Sequence, residues 1–195
     1  MKNPILLDLP ATLETSRLLL RTPQAGDGAI FLAALSASLP ELRRHLGFLP
    51  WVKPDPTAES AELYCRTTYL DYLQRKNLVY FIFEKSSGQL LGAAGLYRID
   101  WTLPKAEVGY WSNSATAGQG FISEAVLRLV DFAFQEIGML RLELVSDEDN
   151  LPSRQLAVRC QFELEGILRN DRKTEVGGLG STCIYARLAP DEAIV

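Results

Sequence analysis

Residues 121–138, FISEAVLRLVDFAFQEIG, constrain the fold more than any other stretch of the chain. Ile122, Ala125, Val126, Leu129, Ala133 and Ile137 recur at three- and four-residue spacing, which sets them along one face of a helix, and Glu124, Arg128, Asp131 and Gln135 fall opposite. Glu124 and Arg128 are spaced as a favourable i, i+4 ion pair, and Gly138 supplies the stop. A helix with a single apolar face has to lie on another layer. The segment before it offers one: KAEVGYW (105–111) reads as a strand, and SNSATAGQG (112–120) joins the two with Gly118 and Gly120 at the helix entrance.

The remaining chain supplies the other strands and helices of an α+β domain. TSRLLLRTP (15–23) reads as a strand, QAGDGAIFLAALSAS (24–38) as a helix, and LPELRRHLGFLPWV (39–52) as a second, short helix broken by Pro50. The segment from Asp55 to Lys76 opens with a capping residue and continues as a helix. LVYFIFEK (78–85) and QLLGAAGLYRID (89–100) flank SSG, a hairpin signal. After residue 138 come a strand (140–146), a helix (151–161) and two closing strands, FELEGILRN and STCIYARL, forming a terminal hairpin around the glycine-rich EVGGLGS. No repeat or linker divides the 195 residues, so one domain is expected over 1–195, with 1–12 as an N-terminal extension.

Composition narrows the function classes. A net charge of −4 does not indicate a broad grip on nucleic acid. No run approaches the ~18 apolar residues needed to cross a bilayer, and the first residues are too polar for a signal peptide. A soluble, cytoplasmic protein without nucleic-acid or membrane partners is expected. Cys65, Cys160 and Cys183 form no C-x-x-C and, with His45 as the sole histidine, make no zinc site, so free thiols and no metal are expected. His45 itself reads as part of a solvated helix end.

A loop feeding a helix N-terminus presents unpaired N–H groups together with the positive end of the helix dipole, which is a phosphate site. No Lys or Arg occurs between Ser112 and Ser123, so phosphate would be held here by backbone amides in a nest. The alternative is that the two glycines only shape a turn. A P-loop is excluded because Phe121 and Ile122 stand where Lys and Ser/Thr are required. A dinucleotide fingerprint is disfavoured because Ser123 takes the place of its third glycine and six residues separate Trp111 from Gly118.

Strand AEVGYW, loop AGQG and helix FISEAV together resemble the acetyl-CoA-binding core of GNAT acetyltransferases. NLPSRQLAVRCQFELEG, the opening LETSRLLLRTPQAGDG and LPWV at 49–52 resemble the RimJ/RimL-type branch, which modifies the N-termini of ribosomal proteins. The similarity runs from about residue 13 to residue 188. It implies a mixed, mostly antiparallel central sheet flanked by helices, with a splayed strand pair forming the acetyl-CoA cleft. The chain departs from the family pattern at Ala115 and Ala117, where polar side chains are usual, and at Gln161, where a glycine is expected.

The resemblance also implies roles. Backbone groups of Tyr110, Trp111 and Ser112 would pair with the pantetheine arm of acetyl-CoA, and Ala117, Gly118, Gln119, Gly120, Phe121 and Ile122 would take its pyrophosphate. Asn150 and Ser153 would lie on the opposite wall, with Ser153 as the proton donor to the leaving thiolate and Tyr110 as an alternative donor. Ser153 reads equally as a local helix-end hydroxyl, and Asn150 as a turn residue. Glu107 is the candidate base, placed by period-2 alternation on the face of Gly109 and Trp111, or else a salt-bridged surface acid. Asp171 lies near the position where some relatives carry an acid, which aligns here with Arg172. Trp51 would contribute to the acceptor pocket. The activity implied is acetyl-CoA-dependent N-acetylation of a primary amine, most simply a protein N-terminal α-amine; a small-molecule amine and a non-catalytic acetyl-CoA-binding module are the alternatives, and a homodimer is compatible with the family.

Overall fold

The computed structural model describes residues 3–174 and 177–190. Eight strands form one sheet: β1 (Thr12–Glu14), β2 (Leu18–Arg21), β3 (Leu78–Glu84), β4 (Leu90–Asp100), β5 (Lys105–Ser112), β6 (Arg141–Asp147), β7 (Glu163–Lys173) and β8 (Leu179–Leu188). Their order is β1-β2-β3-β4-β5-β6-β8-β7. Four α-helices pack on it: α1 (Gly28–Leu46), α2 (Ala58–Leu73), α3 (Phe121–Asp131) and α4 (Leu151–Arg159). The expected α+β class and GNAT-like mixed sheet are what is found.

β3 shows why the sheet sits between two helical layers. Its apolar run is buried on both faces. Leu78, Tyr80 and Ile82 enter one core with Ala125, Leu129 and Val130 of α3 and Leu156 of α4. Val79, Phe81 and Phe83 enter a second core with Phe31 of α1 and Ala61 and Cys65 of α2. Alternate side chains of one strand thus serve opposite layers. The three cysteines are unpaired and buried, and burial pushes the Cys65 thiol up to about 12 and that of Cys160 up to about 11. Among the described residues no group of side chains could hold a metal ion, and no helix is long and apolar enough to cross a membrane.

Several local expectations are corrected. The two helices read on either side of residue 39 are a single helix, α1, running through Pro40. Pro40 and Ser36, whose carbonyl loses its partner to the proline, are both exposed, so water can satisfy that group. The long helix changes character after Asp131: Phe132–Glu136 form a π-helical turn before Gly138, at φ +73°. The Glu124–Arg128 pair is not made. Glu124 turns to Arg17 at 2.5 Å and Arg128 to Glu136 at 2.8 Å. Gln161 keeps the left-handed backbone of the missing glycine, at φ +63°.

All strand pairs but one are antiparallel. β5 and β6 run parallel and pair only through Lys105↔Arg141, Ala106↔Leu142 and Glu107↔Glu143. Beyond Glu107 the two strands continue to Ser112 and Asp147 without pairing. The splay opens the sheet on its buried middle rather than at an edge, and it positions everything that follows.

Candidate active site

The splayed edge of β5 leads into the glycine loop. Asn113, buried, fixes the loop's start: its Oδ1 accepts from the N–H of Ala115 and its Nδ2 donates to the Leu90 carbonyl at 3.0 Å. The N–H of Ser114 donates to Ser38 Oγ of α1 at 3.0 Å. Ala117 spends its own N–H on the Ser114 carbonyl. From there the donors are free: among the described residues, the N–H groups of Gly118, Gln119, Gly120, Phe121, Ile122 and Ser123 have no protein acceptor. The free donors therefore begin at Gly118, one residue later than the resemblance placed them. Gly118 and Gly120 stand at φ +81° and +79°. Two left-handed residues flanking Gln119 turn successive amides to one side, the geometry of an anion nest at a helix N-terminus.

A cation that sequence reading missed also stands here. Arg17, from the turn between β1 and β2, lies over the Phe121 ring at 4.6 Å, binds Glu124 through Nε at 2.6 Å and reaches the Gln119 carbonyl at 3.4 Å. Thr15 hydroxyl also donates to Glu124. The carboxylate in the first turn of α3 is thereby neutralised beside the anion site and held below the usual range. Arg17 is 102 residues from Gln119 in the chain, so no local motif could have revealed it.

Across the splay, Asn150 caps α4 by accepting the N–H of Ser153 at 3.2 Å. The Ser153 hydroxyl is therefore not used as a cap. It pairs with Tyr110 Oη at 2.7 Å, joining α4 to β5. Burial pushes the Tyr110 phenol up to about 12, so it stays protonated and can donate to Ser153.

Glu107 is the last residue of β5 paired to β6. It faces Tyr97 across β4 and Glu143 across β6. A Cβ on Gly109 would strike the Tyr97 ring at 2.8 Å, so glycine there is what lets that ring lie across β5 next to Glu107. Arg98 Nη1 donates to Glu107 at 2.7 Å. Burial and Glu143 nonetheless outweigh Arg98 and raise the Glu107 carboxyl above the ordinary glutamate value.

Trp111 is buried among Phe31 and Trp51, at ring separations of 6.0 and 6.3 Å, so only its backbone is available at the β5 edge. Trp51 is half-buried in the same aromatic cluster, against Tyr64 at 5.5 Å. His45 is not at a solvated helix end: it binds Asp147 of β6 at 2.9 Å, and Arg172 holds the other oxygen of that carboxylate at 2.7 Å. Asp171 accepts from the Thr182 hydroxyl. Residues 175 and 176 of the glycine-rich turn lie outside the described residues.

The gap between the splayed parallel strands is thus flanked by free amides beyond the end of β5 and spanned by the hydrogen bond from Tyr110 of β5 to Ser153 of α4. The profile of the acetyltransferase (GNAT) domain matches residues 17–163. The chain belongs to the GNAT acetyltransferase family. It is an acetyl-CoA-dependent N-acetyltransferase. This GNAT chain is 27% identical over 164 residues to the uncharacterized N-acetyltransferase p20 of Bacillus licheniformis, covering 84% of this chain and 89% of p20. It is 32% identical over 115 residues to the ribosomal-protein-serine acetyltransferase of Escherichia coli strain K12, covering 56% and 60%. Among solved structures, RimL, a ribosomal L7/L12 α-N-protein acetyltransferase in complex with coenzyme A, superposes with a TM-score of 0.83 at 20% identity, covering 91% and 98%.

Proposed function

We propose that this GNAT enzyme acetylates the N-terminal α-amine of a protein or peptide, with the donor lying in the β5–β6 splay and the acceptor approaching Glu107. The observation that carries the reading is the end of β5–β6 pairing at Glu107↔Glu143, because it leaves a strand edge, a row of free amides and two proton-transfer groups around one gap. The six unsatisfied N–H groups fit the diphosphate of CoA, and the unpaired edge of Tyr110, Trp111 and Ser112 fits the amides of its pantetheine arm. When bound, acetyl-CoA supplies an activated acyl thioester.

The chain's own residues then divide the proton work. Glu107, its carboxyl raised by burial, takes a proton from the acceptor ammonium, directly or through water. Ser153 Oγ presents a proton to the leaving thiolate, the Tyr110 phenol stays protonated and steadies the serine oxygen by hydrogen bonding to it at 2.7 Å, and the second proton lost by the acceptor nitrogen on acylation restores the serine hydroxyl. Ser153→Ala keeps the α4 cap, because the cap uses the backbone N–H of that residue. That variant is expected to bind CoA as the wild type does and to turn over about 10²-fold more slowly, the low end for a lost general acid. Single-turnover kinetics beside calorimetric CoA titration would check both halves.

The α-amine acceptor class is supported by the likeness to RimL and to the Escherichia coli ribosomal-protein-serine acetyltransferase. A CoA-release assay against N-terminal peptides, free amino acids and polyamines tests it. Peptides with a free α-amine should be turned over with the highest kcat/KM, and their N-acetylated counterparts not at all. Turnover confined to polyamines or free amino acids would overturn this acceptor class.

A further inference from the structure

A groove of about 510 Å³ lies beside the β4–β5 turn, at the far end of β5 from the glycine loop. Arg75 and Lys76, just after α2, and Arg98 of β4 all line it. Among the described residues no carboxylate does, in a chain of net charge −4. The neighbouring acids are engaged elsewhere: Asp71 accepts from Asn77, and Asp100 from the N–H groups of Thr102 and Leu103. Arg75 spends Nη1 and Nη2 on the carbonyls of Tyr72 and Leu7, and its buried Nε has no hydrogen-bond partner. Arg75 and Lys76 have no ion-pair partner among the described residues. Arg98 gives only Nη1, to Glu107, and leaves its other donors to solvent. Arg75 and Arg98 also stand at φ +59° and +49°, a left-handed backbone that long side chains adopt only where their surroundings hold it.

We propose that this groove is a second anion site, for a small organic anion carrying two or more negative charges, and that its occupant competes with Glu107 for Arg98. Lys76 and the unused donors of Arg98 supply charge-assisted hydrogen bonds, the Gln74 amide a neutral one, and Ile99 and Trp101 an apolar wall. The space is far larger than an inorganic ion fills, which favours a ligand with a carbon body. Arg98 links this groove to the splay. Glu107 is faced by Arg98 and Tyr97 from β4 and by Glu143 from β6, while Arg141 is committed to Glu143 and Glu165. Arg98 is therefore the cation that holds the Glu107 carboxylate. An anion that draws this guanidinium away, or adds negative charge beside it, favours the protonated carboxyl. Turnover then falls at the acid end of its pH range. That consequence rests on Glu107 as the base; the anion site itself does not.

The test uses the intact protein saturated with CoA, so that the nest at Gly118 to Ile122 is filled, titrated calorimetrically at constant ionic strength. Citrate and inorganic phosphate are the two probes, and binding by one rather than the other tells a polycarboxylate site from a phosphate site. One site per chain is expected. Lys76→Gln and Arg98→Gln should each weaken it about tenfold or more, the scale of a hydrogen bond to a charged group. Lys76 is exposed, and unchanged CoA affinity in its variant certifies the fold. Neither probe binding at millimolar concentration overturns the proposal, and so does binding that is indifferent to Lys76→Gln. The second readout is the pH profile of turnover at saturating acetyl-CoA. The bound probe should move the acid limb of the wild type upward and leave that of Lys76→Gln in place, with the basal profile of Lys76→Gln matching the wild type. A bound probe that leaves the wild-type limb unmoved overturns the competition for Arg98. Failure of Glu107 as the base is read separately, from retained turnover in Glu107→Gln.

Discussion

Gly118→Val is expected to weaken CoA binding by about 1–3 kcal/mol, the scale of a few lost backbone hydrogen bonds, or roughly 5- to 150-fold in Kd. Gly118 has open space where a Cβ would go, so the substitution meets no clash. What it meets is the backbone: at φ +81° a β-branched residue is strained, and the loop relaxes to a conformation that re-aims the amides of 118–120. The loop lies outside both cores, so the fold should hold. Gly88, in the β3–β4 turn, provides the control. It stands at φ +71°, also with open space, and Gly88→Val should carry a similar backbone cost without any change in CoA affinity. Calorimetric titration of both variants separates a donor site from a turn that merely needs glycine.

Glu107→Gln is expected to lower kcat/KM by about 10²–10⁴-fold while leaving CoA affinity within twofold, the range for a general base removed from an otherwise intact site. The pH dependence follows from the direction of its shift. The base works ionised, so activity falls as pH drops through its pKa, and burial sets that acid limb above the ordinary glutamate range. Stability has the opposite sign. A carboxyl raised on folding binds its proton more tightly in the native state, so its ionised form costs stability above that pKa and the cost is relieved below it. Glutamine mimics the neutral form, and Arg98, left without its partner, is 80% exposed. The variant should therefore be no less thermally stable than the wild type at neutral pH, which removes unfolding as the cause of lost turnover. Arg98→Gln should move the acid limb further up, because Arg98 is the group that favours the ionised carboxylate.

What could be read from sequence follows from how local each signal is. The apolar stripe of α3, the glycine loop and the hairpin of β3 and β4 are set by residues within a few positions of one another, and all three are found. Period-2 alternation correctly puts Glu107 and Trp111 on the face away from α3, because β5 is regular over those residues. Pro40 misled because a helix-breaking residue is tolerated where the freed carbonyl is wet. The Glu124–Arg128 spacing misled for a different reason. A surface i, i+4 pair is worth only a few tenths of a kcal/mol, whereas Arg17 donates to Glu124 Oε2 through both Nε and Nη2 and Thr15 holds the other oxygen.

The site itself was half legible. Its backbone donors are local and could be named, but the groups that complete it come from distant segments: Arg17 onto the loop, Tyr110 onto Ser153, and Arg98 with Glu143 around Glu107. Ser153 shows the distinction well. Its position in N-L-P-S fits a helix-end hydroxyl as well as a proton donor; Asn150 performs the capping and leaves that hydroxyl to face β5. The splay leaves no signature in either strand alone, since it is a property of two strands ceasing to pair at Glu107↔Glu143.

A crystal structure of the protein with CoA addresses the central claim most directly. The account predicts diphosphate oxygens within hydrogen-bond distance of the N–H groups of Gly118 to Ile122, and a pantetheine arm laid along Tyr110 to Ser112 in the β5–β6 gap. CoA bound elsewhere, with those amides still facing solvent, would contradict it.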